Sequence, residues 1–216
     1  MSATPNDSPL PQGAVPLPDW GVIRATGADA RSFLHGQLTQ DTLHLEPGRA
    51  RLAGYCSPKG RLLASFVIWT EAASGDMLLA CSADLLPATL KRLSMFVLRA
   101  KCKLGDASAE RPLHGWVGAA VPGAQPLDVT EGAAGTAVRL PDAAGQRRAL
   151  WLGAEPPVPE ALAHQGWQWL EVMSGVPRIV AATAEQFVPQ MINLEAVGGV
   201  NFQKGCYPGQ EVVARS

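Results

Sequence analysis

A thiol, a cation and three turn-forming residues are crowded together near the end of this 216-residue chain, in Lys204-Gly205-Cys206-Tyr207-Pro208-Gly209-Gln210-Glu211. Gly205, Pro208 and Gly209 favour a tight backbone that presents Cys206 at a surface instead of burying it in a strand. Lys204 stands two residues before the thiol, and Gln210 to Arg215 read as the start of a helix just after it. A neighbouring cation and a helix N-terminus both favour thiolate over thiol. Cys206 is therefore a candidate reactive cysteine, with Lys204 as the group that tunes it. The competing reading is a cysteine that packs as a small hydrophobe, and spacing alone leaves both open.

Few other residues carry a comparable signal. Cys56, Cys81 and Cys102 are widely separated and the chain has no CxxC pair, which argues against a zinc ribbon or a disulfide framework. His35, His44, His114 and His164 lack metal-site spacing, so no metal ligand is assigned. Ser57 and Ser65 stand outside any nucleophile-elbow context.

The elements that must position the thiol follow from periodicity. Trp20 to Ala25 reads as a strand, and Thr26-Gly27-Ala28-Asp29 resembles a capping box for a helix carrying Ala30, Phe33, Leu34 and Leu38 and ending near Gln40. Leu52 to Cys56, Leu62 to Trp69 and Met77 to Cys81 read as strands, the first two joined through Ser57-Pro58-Lys59-Gly60. A helix follows over Leu86, Leu90, Leu93 and Val97. Leu98, Ala100, Cys102 and Leu104 then alternate with Arg99, Lys101 and Lys103, predicting a half-buried strand with a solvated basic face. Between Gly105 and Pro159 short strands are predicted at Trp116–Ala120, Thr136–Leu140 and Ala149–Leu152. Further on, Glu160–His164 reads as a helical piece, Trp167–Val172 as an amphipathic element and Gly198–Phe202 as a turn and strand. Helices interleaved with mostly antiparallel strands, without a βαβ rhythm, give an α+β fold.

Composition narrows the function classes. A net charge of -1 lacks the basic field of a protein that grips phosphate backbones, so no direct nucleic-acid binding is expected. The apolar runs fall far short of the roughly 20 residues that span a bilayer, so no membrane association is expected. The first 18 residues carry Pro5, Pro9, Pro11, Pro16 and Pro18 and no signal-peptide pattern, which reads as a flexible lead and a cytoplasmic protein.

Several blocks carry a family resemblance. KGCYPGQEVVAR is similar to the signature of YgfZ proteins, and FVPQMINLEAVGGVNF resembles the segment that leads into it. TGADARSFLHGQLTQDT with GYCSPKGRLLASF, and LKRLSMFVLRAKCKL, resemble the part this family shares with the glycine cleavage T-protein. The resemblance implies a T-protein-like folate-binding fold with antiparallel sheets and packed helices. It further implies a folate-binding domain over 19–50 plus about 155–216 and a ferredoxin-like domain over about 51–154. A C-terminal β-barrel domain continues beyond the motif in that family, which makes a chain stopping at Ser216 look shortened.

The implied ligand is tetrahydrofolate or a derivative, with Trp20 and Trp167 as aromatic walls and Glu195 as the acidic residue facing the pterin. Cys206 and Lys204 are the implied functional pair, and Gly205, Tyr207, Gly209, Gln210 and Glu211 complete the motif. The implied role is accessory, supporting assembly or repair of iron–sulfur clusters in client proteins that include tRNA-thiolating enzymes. The thiolate there can hold iron, exchange with a disulfide or form a covalent adduct. A folate-dependent aminomethyl or one-carbon transferase is the alternative. T-proteins place an acidic pair after the Gly-rich turn, whereas this chain reads Lys59-Gly60-Arg61-Leu62-Leu63-Ala64-Ser65, and neither Ala64 nor Ser65 can act as base or stabilise an iminium cation. The scaffold is thus transferase-like without the pair, and no classical enzyme activity is assigned.

Overall fold

The computed structural model describes residues 12–216. Strand β1 (Gly13–Pro16) opens them, so part of the lead expected over residues 1–18 is regular structure, while residues 1–11 lie outside the description. Five strands form a first sheet: β2 (Trp20–Thr26), β3 (Ala50–Cys56), β4 (Leu62–Thr70), β5 (Met77–Ser82) and β6 (Lys103–Asp106), in the spatial order β3-β4-β5-β2-β6. A second sheet is built from β1, β7 (Leu113–Val117), β8 (Val129–Gly132), β9 (Gly135–Ala143) and β10 (Gln146–Leu152), ordered β1-β7-β10-β9-β8. The strand pairings in both sheets are antiparallel. Helices interleave with them, giving the α+β class.

Successive side chains of a strand point to opposite faces, and both faces of the first sheet are covered. Ile23, Tyr55, Phe66, Ile68 and Leu79 look to one side, where they meet helices α1 (Ala30–His35) and α2 (Leu86–Met95) together with Leu194, Tyr207 and Val213 of the C-terminal segment. Val22, Leu52, Val67, Trp69 and Leu78 look to the other, against Leu113, Val117, Val138, Leu140 and Leu150 of the second sheet and Trp167 and Leu170 of α3 (His164–Met173). Burial on both faces explains the nearly unbroken apolar run from Leu62 to Trp69. The outer face of the second sheet keeps a small cluster of its own, in which Trp116 and Trp151 meet edge to face at 6.0 Å.

Strand β2, from the segment 19–50, pairs with β5 and β6, so the first sheet runs across the boundary expected near residue 50.

Several local expectations differ from what is found. Helix α1 stops at His35 rather than Gln40, because Thr39 and Gln40 leave the helical path to bond other backbone. Asp29 makes no cap; its carboxylate accepts the N–H of Lys101 at 2.7 Å instead. That bond belongs to a turn, and the strand expected from Leu98 shortens to Lys103–Asp106, leaving Arg99, Lys101 and Lys103 exposed. No helix forms over 160–163 and no strand over 198–202. Strands β1 and β8 carry no alternating signal in the sequence.

The layer contact is closest at Gly115 on β7. A Cβ placed there would stand 2.5 Å from Cε3 of the fully buried Trp167. Gly115→Ala therefore forces the indole to move, and overpacking of this kind costs about 1–3 kcal/mol. Urea denaturation of the variant is expected to show that loss, and unchanged stability would mean the ring yields freely.

Candidate functional site

The terminal motif is held by neighbours far away in sequence. Thr39 donates its hydroxyl to the Gly199 carbonyl at 2.6 Å and accepts the N–H of Gly54 at 2.7 Å, while the Gln40 amide donates to the Gly198 carbonyl at 2.6 Å. The N–H of Asn201 donates to the Thr39 carbonyl at 2.9 Å. Beyond this dock, Asn201 Oδ1 accepts the N–H groups of Gln203 and Lys204 and bends the chain into the motif. Gly209 takes φ 80° and lies on the Ser57–Gly60 turn, whose Gly60 has φ 71°. A Cβ on Gly209 would come within 2.7 Å of Gly60 Cα, and one on Gly60 within 2.8 Å of Val212 Cβ. Both the left-handed backbone and the clearance therefore require glycine. The SPKG turn and the CYPGQE turn are two halves of one structure.

Within it, Cys206 is exposed. Cys56 and Cys81 are buried, and burial pushes both thiols up to about 12. Lys204 is buried, with Nζ 4.7 Å above the centre of the Tyr207 ring and 3.1 Å from the Gly205 carbonyl, to which it donates. Burial brings its ammonium down to about 8, against the opposing pull of Asp41 and Cys206. Tyr207 is buried below it, and burial raises its phenol to about 12. Gly205 is exposed, Gln210 half-buried and Glu211 exposed. The helix expected after the thiol, α4, covers only Gln210–Val213, with Glu211 in its first turn. So short a helix contributes little dipole, and the Lys204 ammonium is a charged neighbour of Cys206.

His35, Asp41 and His44 gather beside this motif. His35 Nε2 lies 3.8 Å from where a Gly205 Cβ would stand, and its Nδ1 is 3.1 Å from Asp41 Oδ1. His44 Nδ1 meets the other carboxylate oxygen at 2.7 Å. Burial opposes ionisation of Asp41, yet hydrogen bonds from the His44 ring and backbone and the charges of both histidines hold it at about 2. In sequence they lie within HGQLTQDTLH, where the two histidines lack metal-site spacing. Among the described residues no group of His, Cys, Asp or Glu is clustered as metal ligands would be.

A second feature lies between the two sheets. Trp20, Leu52, Ser65, Phe66, Leu140, Arg148, Glu171, Arg178 and Leu194 are among the residues lining a narrow recess of about 30 Å³. It shares Glu171, Val176, Pro177 and Arg178 with an open cleft of about 440 Å³ along α3. Arg178 lies over Trp20, with Cζ 4.8 Å from the ring centre, and donates to Asp19 Oδ2 at 2.7 Å and Glu171 Oε2 at 3.4 Å. Burial raises the Glu171 carboxyl above its ordinary range, with Arg178 and Arg148 opposing. The Ser65 hydroxyl accepts the N–H of Ile179 at 2.8 Å.

The three predicted ligand residues separate here. Trp20 lines the recess. Trp167 does not: fully buried against Gly115, it packs behind Arg148, whose Cζ is 5.5 Å from its ring. Glu195 is exposed and outside the lining, because the 3₁₀ turn Pro189–Ile192 sends Leu194 inward and leaves its neighbour in solvent. The acidic residue in the recess is Glu171, on α3 four residues before Gly175 and unmarked by any spacing in the sequence.

Lys204 gives a pH test. Its folded pKa of about 8 lies below the ordinary 10.5, so between those values the unfolded chain binds more protons and stability rises with pH. The rise attributable to Lys204 is at most about 3 kcal/mol. Urea unfolding from pH 7 to 10.5 is expected to show a shallower rise in Lys204→Met than in the parent. Parallel profiles would show that the ammonium is not desolvated.

No family model matches the chain. It is 34% identical over 223 residues to tRNA-modifying protein YgfZ of Vibrio vulnificus strain CMCP6, an alignment covering 96% of this chain and 67% of that protein. It is 32% identical to tRNA-modifying protein YgfZ of Edwardsiella ictaluri, with the same two coverages, and 30% identical to that of Klebsiella pneumoniae, covering 96% and 68%. The crystal structure of glycine cleavage system aminomethyltransferase T from Bartonella henselae superposes with a TM-score of 0.57 at 19% identity, over 66% of this chain and 42% of that one. That likeness concerns the fold alone, and the chain spans less than half of the solved enzyme.

Proposed function

This chain belongs to the YgfZ family, and from that premise we propose that it is a tetrahydrofolate-binding accessory protein of tRNA modification, acting in the cytoplasm. In this reading it supports assembly or repair of iron–sulfur clusters in client proteins, including tRNA-thiolating enzymes, through Cys206. The observation that carries the reading is the setting of Cys206: it is exposed beside a buried ammonium, while Cys56 and Cys81 are buried with raised pKa values. An accessible thiol can exchange with disulfides and bind metal, and a buried one cannot.

The recess supports the folate part. Its residues fit a flat heterocycle: an indole wall at Trp20, a carboxylate at Glu171 to accept from an amino-pyrimidine edge, and buried N–H groups on Trp20 Nε1 and Arg148 Nη1 that lack partners. The narrow part receives the edge of the ring and the open cleft the remainder of the molecule. When bound, tetrahydrofolate supplies a carrier for one-carbon units. Trp20, Glu171 and Arg178 would hold and orient it.

The transferase alternative requires a carboxylate where Ala64 and Ser65 stand. It predicts turnover of a methylene donor, and the accessory reading predicts none.

The test replaces Cys206 by alanine in bacteria lacking their own copy of the protein. Thiolation of tRNA by a client enzyme is expected to fall to the level of cells with no copy. Full rescue by Cys206→Ala would contradict the role given to the thiol.

A further inference from the structure

Arg148 is a buried charged group whose hydrogen-bonding capacity is left partly unmet. It projects from β10 on the same face as Leu150 and Leu152 and is 2% exposed, with Nε donating to the Pro141 carbonyl at 2.9 Å. One face of the guanidinium lies toward the Trp167 ring, 5.5 Å from its centre. Its Nη1 is buried and has no partner. Among the described residues no carboxylate forms an ion pair with it: Glu171 is engaged by Arg178, and Asp142 by Arg139. Burial lowers its pKa only to about 10, so it stays cationic at neutral pH.

A buried cation with an open donor is rare, because leaving such a donor unmade is costly. Here the donor belongs to a residue that lines the recess, across which Glu171 and Trp20 also stand. An acceptor brought in from outside resolves the deficit. Of the other recess side chains, Leu52, Phe66, Leu140 and Leu194 are apolar walls, Trp20 adds an indole face with an uncharged N–H that also lacks a partner, Ser65 already accepts one N–H, Arg178 is paired with Asp19 and Glu171, and the Glu171 carboxylate accepts, which leaves Arg148 as the unpaired charged donor.

We propose that Arg148 is the specificity-determining donor of the recess, giving its free N–H to the 4-oxo group of a bound pterin while Glu171 accepts from the 2-amino edge. This rests on the folate reading above and adds to it a choice between pterins. A 4-oxo group is an acceptor and matches the guanidinium; a 4-amino group is a second donor and leaves two donors facing each other. Trp167 keeps the guanidinium from rotating away, which gives that buried indole a positioning role.

The experiment compares tetrahydrofolate with 4-amino-4-deoxytetrahydrofolate by calorimetric titration of the whole chain. The parent is expected to bind the 4-oxo compound about 10-fold or more tightly, the size of a hydrogen bond to a charged group. In Arg148→Met the two affinities are expected to converge, chiefly through loss of 4-oxo binding, with Arg148→Lys in between. Near-ultraviolet circular dichroism checks that each variant is folded. A folded Arg148→Met that keeps the full preference overturns the assignment and leaves the folate reading standing. Equal affinities in the parent overturn it as well, whether or not any variant folds. Binding of neither compound removes the folate reading, and the assignment falls with it.

Discussion

The close approach of Gly60 and Gly209 is the contact on which the motif depends. Each residue has a left-handed backbone, and any side chain on either would strike the opposite turn. Because the turns nest, Val213 reaches the core beside Tyr207, and Cys206 is left at the surface between the two. The Thr39 and Gln40 bonds to Gly199 and Gly198 do the same for the chain leading in. The reactive candidate is thus not carried by a flexible tail. It is fixed by two docks about 150 residues away in sequence, one on each side of it.

Once that register is set, the electrostatics around the thiol follow. The Lys204 ammonium lies over the Tyr207 ring, where burial lowers its pKa against the pull of Asp41 and Cys206. His35 and Asp41 close the other side of Gly205. The recess between the sheets obeys the same logic with different groups: Arg178, Glu171 and Asp19 balance one another at the mouth, and Arg148 is left uncompensated inside. Both places keep a buried cation near a group that can react or bind, an arrangement that a purely structural core replaces with hydrocarbon at no loss of stability.

Much of the scaffold was legible because strong periodicity survives wherever one kind of packing dominates. Strands β3, β4 and β5 and helix α2 fall where their apolar spacing puts them. The stretch from Leu98 to Leu104 misled because a polar tie between Asp29 and the Lys101 backbone, invisible to periodicity, converts most of it into a turn. Helix α1 ends early for a related reason, the non-local bonds of Thr39 and Gln40. The site shows the same division. Cys206 and its glycines are contiguous and could be read directly, and Trp20 follows from its flanking residues. That Trp167 is buried and Glu195 exposed, both outside the recess lining, depends on rotation about a helix and on a 3₁₀ turn, which spacing does not show. His35, Asp41, Arg148 and Glu171 come together only through the fold, and no local spacing marks them.

The central claim is that this fold holds a folate next to the groups described. The most direct measurement is titration of the chain with tetrahydrofolate while following tryptophan fluorescence. The account predicts saturable quenching whose amplitude falls sharply in Trp20→Phe, since that indole is the one lining the recess. A chain that shows no saturable change, or the same change without Trp20, would contradict it.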